Sequence, residues 1–312
     1  MVATLREIRG RIRSASSIKK ITKAQELIAG SRVTKVRNKS LSALSYFNKI
    51  ENMITEASKC TTLEHPLVTK NLKIKRSGIL IISSDRGLCG GYNVNVLRQA
   101  EELIFLLQKQ NKNPVLYTVG RKAFDFYSSK NQKIFNYWTK FSEKPRLDNA
   151  KNIACTIVKS FSDNKFNNKT HTKLNANLGI NELHIVFTKF KSMLSQKVIS
   201  QKVVPLVYRS INSNKTNTHP VYLFEPEAEY LFTTLLSYYI TSSVYIALLE
   251  AAASESASRC SAMKSATDNA EKLIRELTLK ANRERQAQIT QEISEIVSGS
   301  NALANINDSY LE

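Results

Sequence analysis

A glycine-rich segment at residues 83–91, Ser-Ser-Asp-Arg-Gly-Leu-Cys-Gly-Gly, is the first place in this sequence where chemistry could occur. It follows an apolar run typical of a strand and precedes a helical pattern, a position where phosphate often binds. The segment matches neither GxxxxGK[ST] nor GxGxxG, so a nucleotide site is the weaker interpretation. In the alternative, Asp85 and Arg86 pair within the turn and the glycines allow tight chain reversal. We therefore favour a structural or docking turn.

Nucleophilic and metal chemistry lack the residue groupings that they need. Cys89 lies near a helix start, where a thiol can be activated, but no histidine accompanies it in sequence. The dispersed histidines also argue against a metal centre; they are His65, His171, His184 and His219. Four cysteines without a CxxC pair indicate a reducing compartment; they are Cys60, Cys89, Cys155 and Cys260. We predict no catalytic residue, no metal and no cofactor.

A long C-terminal helix dominates the elements that must position these residues. Residues 227–298 contain neither glycine nor proline, the two residues that most weaken a helix, over 72 positions. At about 1.5 Å per residue, this helix is on the order of 108 Å long. Its middle, 251–262, is almost entirely alanine, serine and cysteine, which predicts a thin rod there. The predicted seam is Leu231, Leu235, Tyr238, Tyr245, Leu249, Met263, Ala266, Ala270, Leu273 and Leu277.

Residues 1–57 also have the pattern of a long helix. Apolar residues recur at three- and four-residue steps, the spacing of a coiled-coil seam; they are Leu5, Ile8, Ile12, Ala15, Ile18, Ile21, Ala24, Ile28, Leu41, Leu44, Phe47, Ile50 and Ile54. Residues 1–39 carry a charge balance of +9, and residues 227–312 carry −5. We predict that the two helices, 1–57 and 226–300, pair as an antiparallel coiled coil, with a tail at 301–312. Two independent helices lying on a globular core are the alternative.

The middle of the chain alternates between strand and helix patterns, as an α/β domain does. Strands are predicted at 78–83, 114–119, 133–138 and 182–190, and helices at 91–110, 121–127 and 147–161. A polar, asparagine-rich stretch at 163–178 is predicted to be an exposed inserted loop. The predicted fold class is α/β: a long two-helix antiparallel coiled coil plus a small doubly wound, Rossmann-like domain at 74–209.

Composition restricts the function classes further. The longest apolar runs are well short of the roughly 20 residues that a membrane span needs, so no membrane insertion is predicted. The net charge of +20 would suit nucleic acid or an acidic protein partner equally well. Residues 1–39 lack the interleaved aromatics of single-strand binders, and no known reader motif is present. Charge alone leaves those two partner classes open.

Several ordered motifs resemble the gamma subunit of F-type ATP synthases. These are IKKITKAQELI at 18–28, DRGLCGGYN at 85–93, AMKSATDNA at 262–270 and LTLKANRERQAQITQEISEIVSG at 277–299. The segment GINELHIVFTKFKSMLSQ at 179–196 is most similar to the actinobacterial branch, which has an extra polar loop before this stretch. The resemblance covers essentially the whole chain. The chain lacks the regulatory cysteine pair of the chloroplast members, so thiol switching is not expected.

The resemblance implies a central rotor shaft with no catalytic residues of its own. One copy would stand inside the alpha3-beta3 hexamer, with the epsilon subunit and the c-ring below it. Proton-driven rotation of the c-ring would turn the shaft, whose asymmetric faces drive conformational change and ATP synthesis at the beta subunits. The implied location is peripheral, on the cytoplasmic face of the bacterial cell membrane. Nucleic acid is not among the implied partners.

The resemblance also implies roles for residues at matching positions. Residues that engage beta-subunit loops are Arg285, Gln286, Thr290 and Glu292, and those that would face acidic beta-subunit levers are Lys19, Lys20 and Lys23. The apolar stripe that would turn in a bearing is Ile289, Ile293, Ile296, Val297 and Leu303. Solvent-exposed charges and a coiled-coil core are the respective alternatives.

The remaining implied contacts lie at the other end of the shaft. The signature turn would dock the epsilon subunit and c-ring through Asp85, Arg86, Gly87, Cys89, Gly90 and Gly91. Tyr222 and Glu225 fall at the family's foot, which meets the c-ring. Gln25 stands where many relatives have methionine, which weakens the expected contact there. As a hypothesis, lysines of the 163–178 loop contact a neighbouring subunit and restrain reverse rotation; unchanged hydrolysis and synthesis after loop deletion would refute it.

Overall fold

A computed structural model describes residues 5–60, 76–162, 179–205 and 228–308. The elements are α1 (Leu5–Cys60), β1 (Arg76–Ile82), α2 (Tyr92–Lys109), β2 (Asn113–Val119), α3 (Arg121–Ser129), β3 (Ile134–Trp138), α4 (Leu147–Ser162), β4 (Glu182–Phe190), β5 (Gln196–Val204) and α5 (Ala228–Asp308). Two compact units share them: unit 1 is Met1–Leu27 with Ala262–Glu312, and unit 2 is Ile28–Ser261. The predicted fold class is confirmed. Helix α5 passes without a break through the predicted tail boundary after residue 300.

Unit 2 contains a five-stranded sheet of order β3-β2-β1-β4-β5. The first four strands are parallel, and β5 runs antiparallel to β4 at one edge. The sequence pattern did not predict β5. Most of its side chains are at least partly exposed and several are charged, so it lacks the apolar run that marks a buried strand.

Helices cover both faces of this sheet. On β1, Ile79 and Ile81 face a core formed with α2 and α3, because alternate strand residues point to opposite faces. Leu80 and Ile82 face the other core, which α4, α1 and α5 complete. The sheet is therefore held between helices on both sides, as in doubly wound folds.

Within unit 2, α1 and α5 approach each other through small residues. The α5 side chains from Ala251 to Ala257 are all buried, in agreement with the predicted thin section. A Cβ built on Gly30 would lie 3.8 Å from the Cys260 sulfur, so a neighbour does pack against this helical glycine. Ser40 Oγ donates a 2.7 Å hydrogen bond to Glu250, which fixes the antiparallel register of the two helices.

The face that α1 buries agrees with the predicted seam only in part: Ile8, Ala15, Ile50 and Ile54 are buried as predicted. Predicted seam residues that lie exposed are Ile18, Ile21, Ala24, Ile28, Leu41 and Leu44 on α1, with Tyr238 and Leu273 on α5. One set of buried α1 positions recurs at seven-residue intervals: Ile8, Ala15, Thr22, Ala29 and Val36. From Ala15 to Val36 the side chains at these positions are smaller than isoleucine, which allows the two backbones to approach closely.

Unit 1 is an antiparallel helix pair. The buried hydroxyls of Thr22 and Thr267 share a 2.8 Å hydrogen bond across the interface. One turn away, Lys19 Nζ pairs with Glu271, and this bond lowers the pKa of the Glu271 carboxyl. The buried threonine pair is the more specific contact, because a polar group in an apolar seam must find its partner.

Helix α5 includes a stretch that passes a membrane-span test by length and composition alone. This stretch is Thr234–Gly299, and 61% of its most apolar window is buried inside the protein. Burial of this kind is what a core helix of a folded domain shows. The expectation from the sequence, that no apolar run is long enough, is therefore too strict for α5.

Candidate functional site

The turn at 85–91 is held by side chains from several segments. Asp85 accepts hydrogen bonds from the backbone N–H of Arg121 (3.1 Å) and of Ser142 (2.9 Å), and its own N–H donates to Ser142 Oγ (2.9 Å). The predicted pairing of Asp85 with Arg86 is wrong. Arg86 instead approaches Glu143, with 3.8 Å between the charged atoms. Asp85 therefore connects β1, α3 and the segment before α4.

Two backbone conformations shape the turn. Gly90 has φ +56°, which glycine adopts at no steric cost, and Leu88 has φ +61°, which a leucine rarely adopts. Leu88 is exposed, so its strained backbone is not explained by burial of its side chain. The glycine prediction holds at Gly90.

The Cys89 thiol is buried in this turn. Burial raises its pKa, and Asn93 Nδ2 lies 3.2 Å from the sulfur. The Asn93 amide also accepts from the Ser84 N–H (3.1 Å) and donates to Ser84 Oγ (2.8 Å). The N–H groups of Ser84 and Asp85 are thus engaged by side chains of the chain itself, which disfavours the phosphate-binding interpretation.

The turn packs on helix α5 through its carbonyl groups. Ser258 Oγ donates a 2.6 Å hydrogen bond to the Cys89 carbonyl. The Arg259 guanidinium reaches the carbonyls of Arg86 (3.5 Å) and Gly87 (3.4 Å). The inner side of the turn is occupied by the chain's own helix. Its outer side remains exposed at Arg86, Gly87, Leu88, Gly90 and Gly91.

A buried ionic cluster lies beside this contact. Arg259 bonds Glu255 at 2.7 Å and approaches Glu143 at 3.5 Å. Glu143 also pairs with Arg32 of α1. Burial raises the pKa of Glu255 to about 7 in spite of the nearby Arg259 charge. Burial by itself would lower the pKa of Arg259, but the negative charges of Glu255 and Glu143 together raise it. This cluster was not predicted from the sequence. The available signal was a glutamate and an arginine four residues apart, Glu255 and Arg259, within a run of small residues.

The predicted contact residues near the end of α5 lie in a stretch, 285–299, in which every residue is exposed. Arg285, Gln286, Thr290 and Glu292 are all exposed. The apolar stripe is also exposed, with Ile289 at 44%, Ile293 at 56%, Ile296 at 71% and Val297 at 53%. Leu303 lies within α5, but its side chain is outside the described part. The coiled-coil-core alternative is therefore wrong for the described members of the stripe.

The predicted basic contacts on α1 are partly engaged within the chain. Lys19 pairs with Glu271, and Lys23 pairs with Glu26 at 3.0 Å one turn along the helix. Lys20 is exposed. Tyr222, Glu225 and the 163–178 loop lie outside the described residues.

Within the described part of the chain, no group of three or more possible ligands could hold a metal ion. His184, one of the four dispersed histidines, belongs to a structural cluster in which Glu182 is 2% exposed. Lys112 (2.9 Å), Lys202 (3.6 Å) and His184 surround this carboxylate. Burial alone would raise the Glu182 pKa, but hydrogen bonds from His184 and Lys112 lower it to about 2.

The low Glu182 pKa predicts an acid-sensitive contribution to stability. Because the folded pKa lies below the ordinary 4.5, the contribution is present above pH 4.5 and is lost as pH falls towards 2. Glu182→Gln is expected to lower the free energy of unfolding by up to about 3 kcal/mol at pH 7. Urea unfolding at several pH values should show the two curves converging near pH 2. A difference that does not change with pH would contradict this prediction.

Comparison with known proteins adds relatives of nearly full length. Residues 4–303 match the family model described as ATP synthase. The chain is 55% identical over 304 residues to the ATP synthase gamma chain of Mycolicibacterium smegmatis, covering 97% of this chain and 99% of the relative. It is 53% identical over 312 residues to that of Mycobacterium marinum, with 98% and 99% covered. Both relatives are mycobacterial, in agreement with the predicted actinobacterial branch.

Solved structures share the fold at lower identity. A chain of the Euglena gracilis mitochondrial ATP synthase rotor matches with a TM-score of 0.59 and 14% identity, covering 91% of this chain and 98% of its own. A chain of the Tetrahymena thermophila mitochondrial central stalk and c-ring matches with a TM-score of 0.55 and 22% identity, covering 79% and 99%.

Proposed function

This chain belongs to the ATP synthase gamma-chain family and is a central-stalk subunit, and from that premise we propose that it transmits torque without catalysing a reaction itself. The supporting observation is that every residue of α5 from 285 to 297 is exposed, apolar side chains included, with no partner helix over them in the described part of the chain. Chemistry would occur on the beta subunits, and this chain would change their conformation by turning.

The proposed housing is the alpha3-beta3 hexamer. Arg285, Gln286, Thr290 and Glu292 would contact beta-subunit loops. Lys19, Lys20 and Lys23 would face acidic levers; Lys20 is exposed, whereas Lys19 and Lys23 already form ion pairs within the chain. The stripe of Ile289, Ile293, Ile296, Val297 and Leu303 would turn against an apolar bearing. Many weak contacts suit a shaft, because one strong contact would hold the rotor at a single angle.

The proposed partners at the other end are the epsilon subunit and the c-ring. The outer side of the 85–91 turn, with exposed Arg86 and Leu88, would supply one docking surface. This proposal is supported by the shared fold with chains from solved structures that are described as a rotor and as a central stalk with c-ring. We place one copy per complex, peripheral to the cytoplasmic face of the bacterial membrane and without insertion into it.

Co-purification tests the proposed function directly. Tagged chain, co-expressed with the alpha and beta subunits of the same organism, is expected to recover both at a ratio of three alpha and three beta to one. Recovery of the chain alone would contradict the proposal. Tight DNA binding with a steep salt dependence, measured on the same preparation, would favour a nucleic-acid function instead.

Removing the residues after Gly299 is expected to weaken assembly more than turnover. The bearing contact is summed over several residues, so losing its last part leaves Ile289, Ile293, Ile296 and Val297 in place. We expect about a two- to fivefold lower yield of complex, a change of roughly 1 kcal/mol in binding. ATP hydrolysis per assembled complex should remain well above background. Hydrolysis at background in a fully assembled complex would contradict this expectation.

A further inference from the structure

We propose that Arg259 is a positioning residue that fixes the α/β domain to helix α5 against rotation, so that torque passes between them without slip. This inference rests on the proposed function. It concerns five charged side chains that all belong to unit 2: Arg32, Arg86, Glu143, Glu255 and Arg259.

The contacts of Arg259 link segments that are distant in sequence. Its guanidinium bonds Glu255 on its own helix (2.7 Å) and lies near Glu143, in the segment between β3 and α4 (3.5 Å). It also reaches the carbonyls of Arg86 and Gly87 in the turn after β1. One side chain thereby contacts two segments that follow different strands of the sheet.

The α5 surface next to the 85–91 turn is built from small side chains, whereas the large α5 side chains that pack under the sheet lie earlier in the helix, at 236–248. Between 251 and 262 every residue except Glu255 and Arg259 is alanine, serine or cysteine. Small side chains allow close approach but offer few projections that interlock. A planar guanidinium with several donors in fixed directions adds an angular constraint to the single hydrogen bonds that Ser254 and Ser258 donate to the Thr188 and Cys89 carbonyls. Buried ion pairs often add little net stability, so a geometric role suits this cluster better than a stabilising one.

The test must separate positioning from folding. Arg259→Gln alone would leave Glu255, which is 1% exposed, without its paired charge. The double variant Glu255→Gln/Arg259→Gln leaves no unpaired charge at this position, and Glu143 keeps Arg32 and Arg86. Arg259→Lys retains the positive charge but loses the planar guanidinium group with its several donors in fixed directions. Arg98→Gln, which removes an exposed arginine from α2, is the matched control.

The experiment measures ATP hydrolysis and ATP-driven proton pumping by the assembled synthase in membrane vesicles. For the double variant we expect hydrolysis within twofold of the wild type and at least a threefold loss of protons pumped per ATP. Arg259→Lys should recover part of this loss, and Arg98→Gln should match the wild type. Hydrogen exchange in the same complexes should rise at the 85–91 amides and stay unchanged in β4.

Three outcomes would overturn the inference. They are unchanged pumping per ATP in the double variant, a parallel fall of hydrolysis and pumping, and failure of the double variant to assemble when Arg98→Gln assembles. In each of these cases the proposed function stands if the wild-type chain supports pumping. A wild-type chain that neither assembles nor supports pumping would refute the proposed function itself.

Discussion

Gly120→Ala is expected to lower the free energy of unfolding by at least about 3 kcal/mol. Gly120 has φ +92° and ψ 143°, a backbone region that is essentially limited to glycine. A Cβ there would lie 2.4 Å from the Ser83 carbonyl oxygen and 2.6 Å from its hydroxyl. The hydroxyl is held in place because it donates to the Val119 carbonyl and accepts from the Ala123 N–H. The carbonyl belongs to a backbone whose own N–H also donates to the Val119 carbonyl.

The control for this prediction lies in the neighbouring turn. At Gly87 an added Cβ would meet only the end of the Lys122 side chain, at 4.0 Å, and the backbone is not in the left-handed region. Gly87→Ala should therefore change stability by less than about 1 kcal/mol. Urea unfolding of the full chain measures both variants. Equal effects of the two substitutions would show that the Ser83 contact does not constrain Gly120.

Ile289→Asp/Ile293→Asp is expected to reduce recovery of the complex with alpha and beta subunits by at least about tenfold, a change of roughly 1.4 kcal/mol or more. The two side chains are 44% and 56% exposed, so charging them removes little packing within the chain. In an apolar bearing, each carboxylate would lose its water without gaining a partner. The unfolding midpoint of the isolated chain should stay close to that of the wild type.

Ser294→Asp/Ser298→Asp is the matched control for that variant. It adds the same two charges, also four residues apart, on the opposite side of the exposed end of α5. Recovery of the control complex should be close to the wild type. Equal losses for both double variants would indicate that added negative charge, rather than the apolar stripe, controls assembly. A large loss of stability in the isolated chain would instead place the stripe in a packed core.

Parts of this fold were predictable because they depend on local pattern. The two long helices follow from long stretches with few residues that weaken a helix, and β1 follows from a short apolar run. The edge strand β5 was not predictable in this way, because its exposed residues need no apolar pattern and its pairing with β4 is set by the folded sheet.

The ordered motifs and the absence of glycine and proline from 227–298 determined the family, the terminal helices and the α/β class before any coordinates were known. Only the tertiary structure decided which face of α1 is buried. Periodicity places Ile18 and Ile21 in the seam beside Ala15, whereas the close approach of α5 leaves both isoleucines exposed and buries Thr22 with Ala15. It also decided the cluster at Arg259, since contacts between segments more than a hundred residues apart leave no local periodic signal.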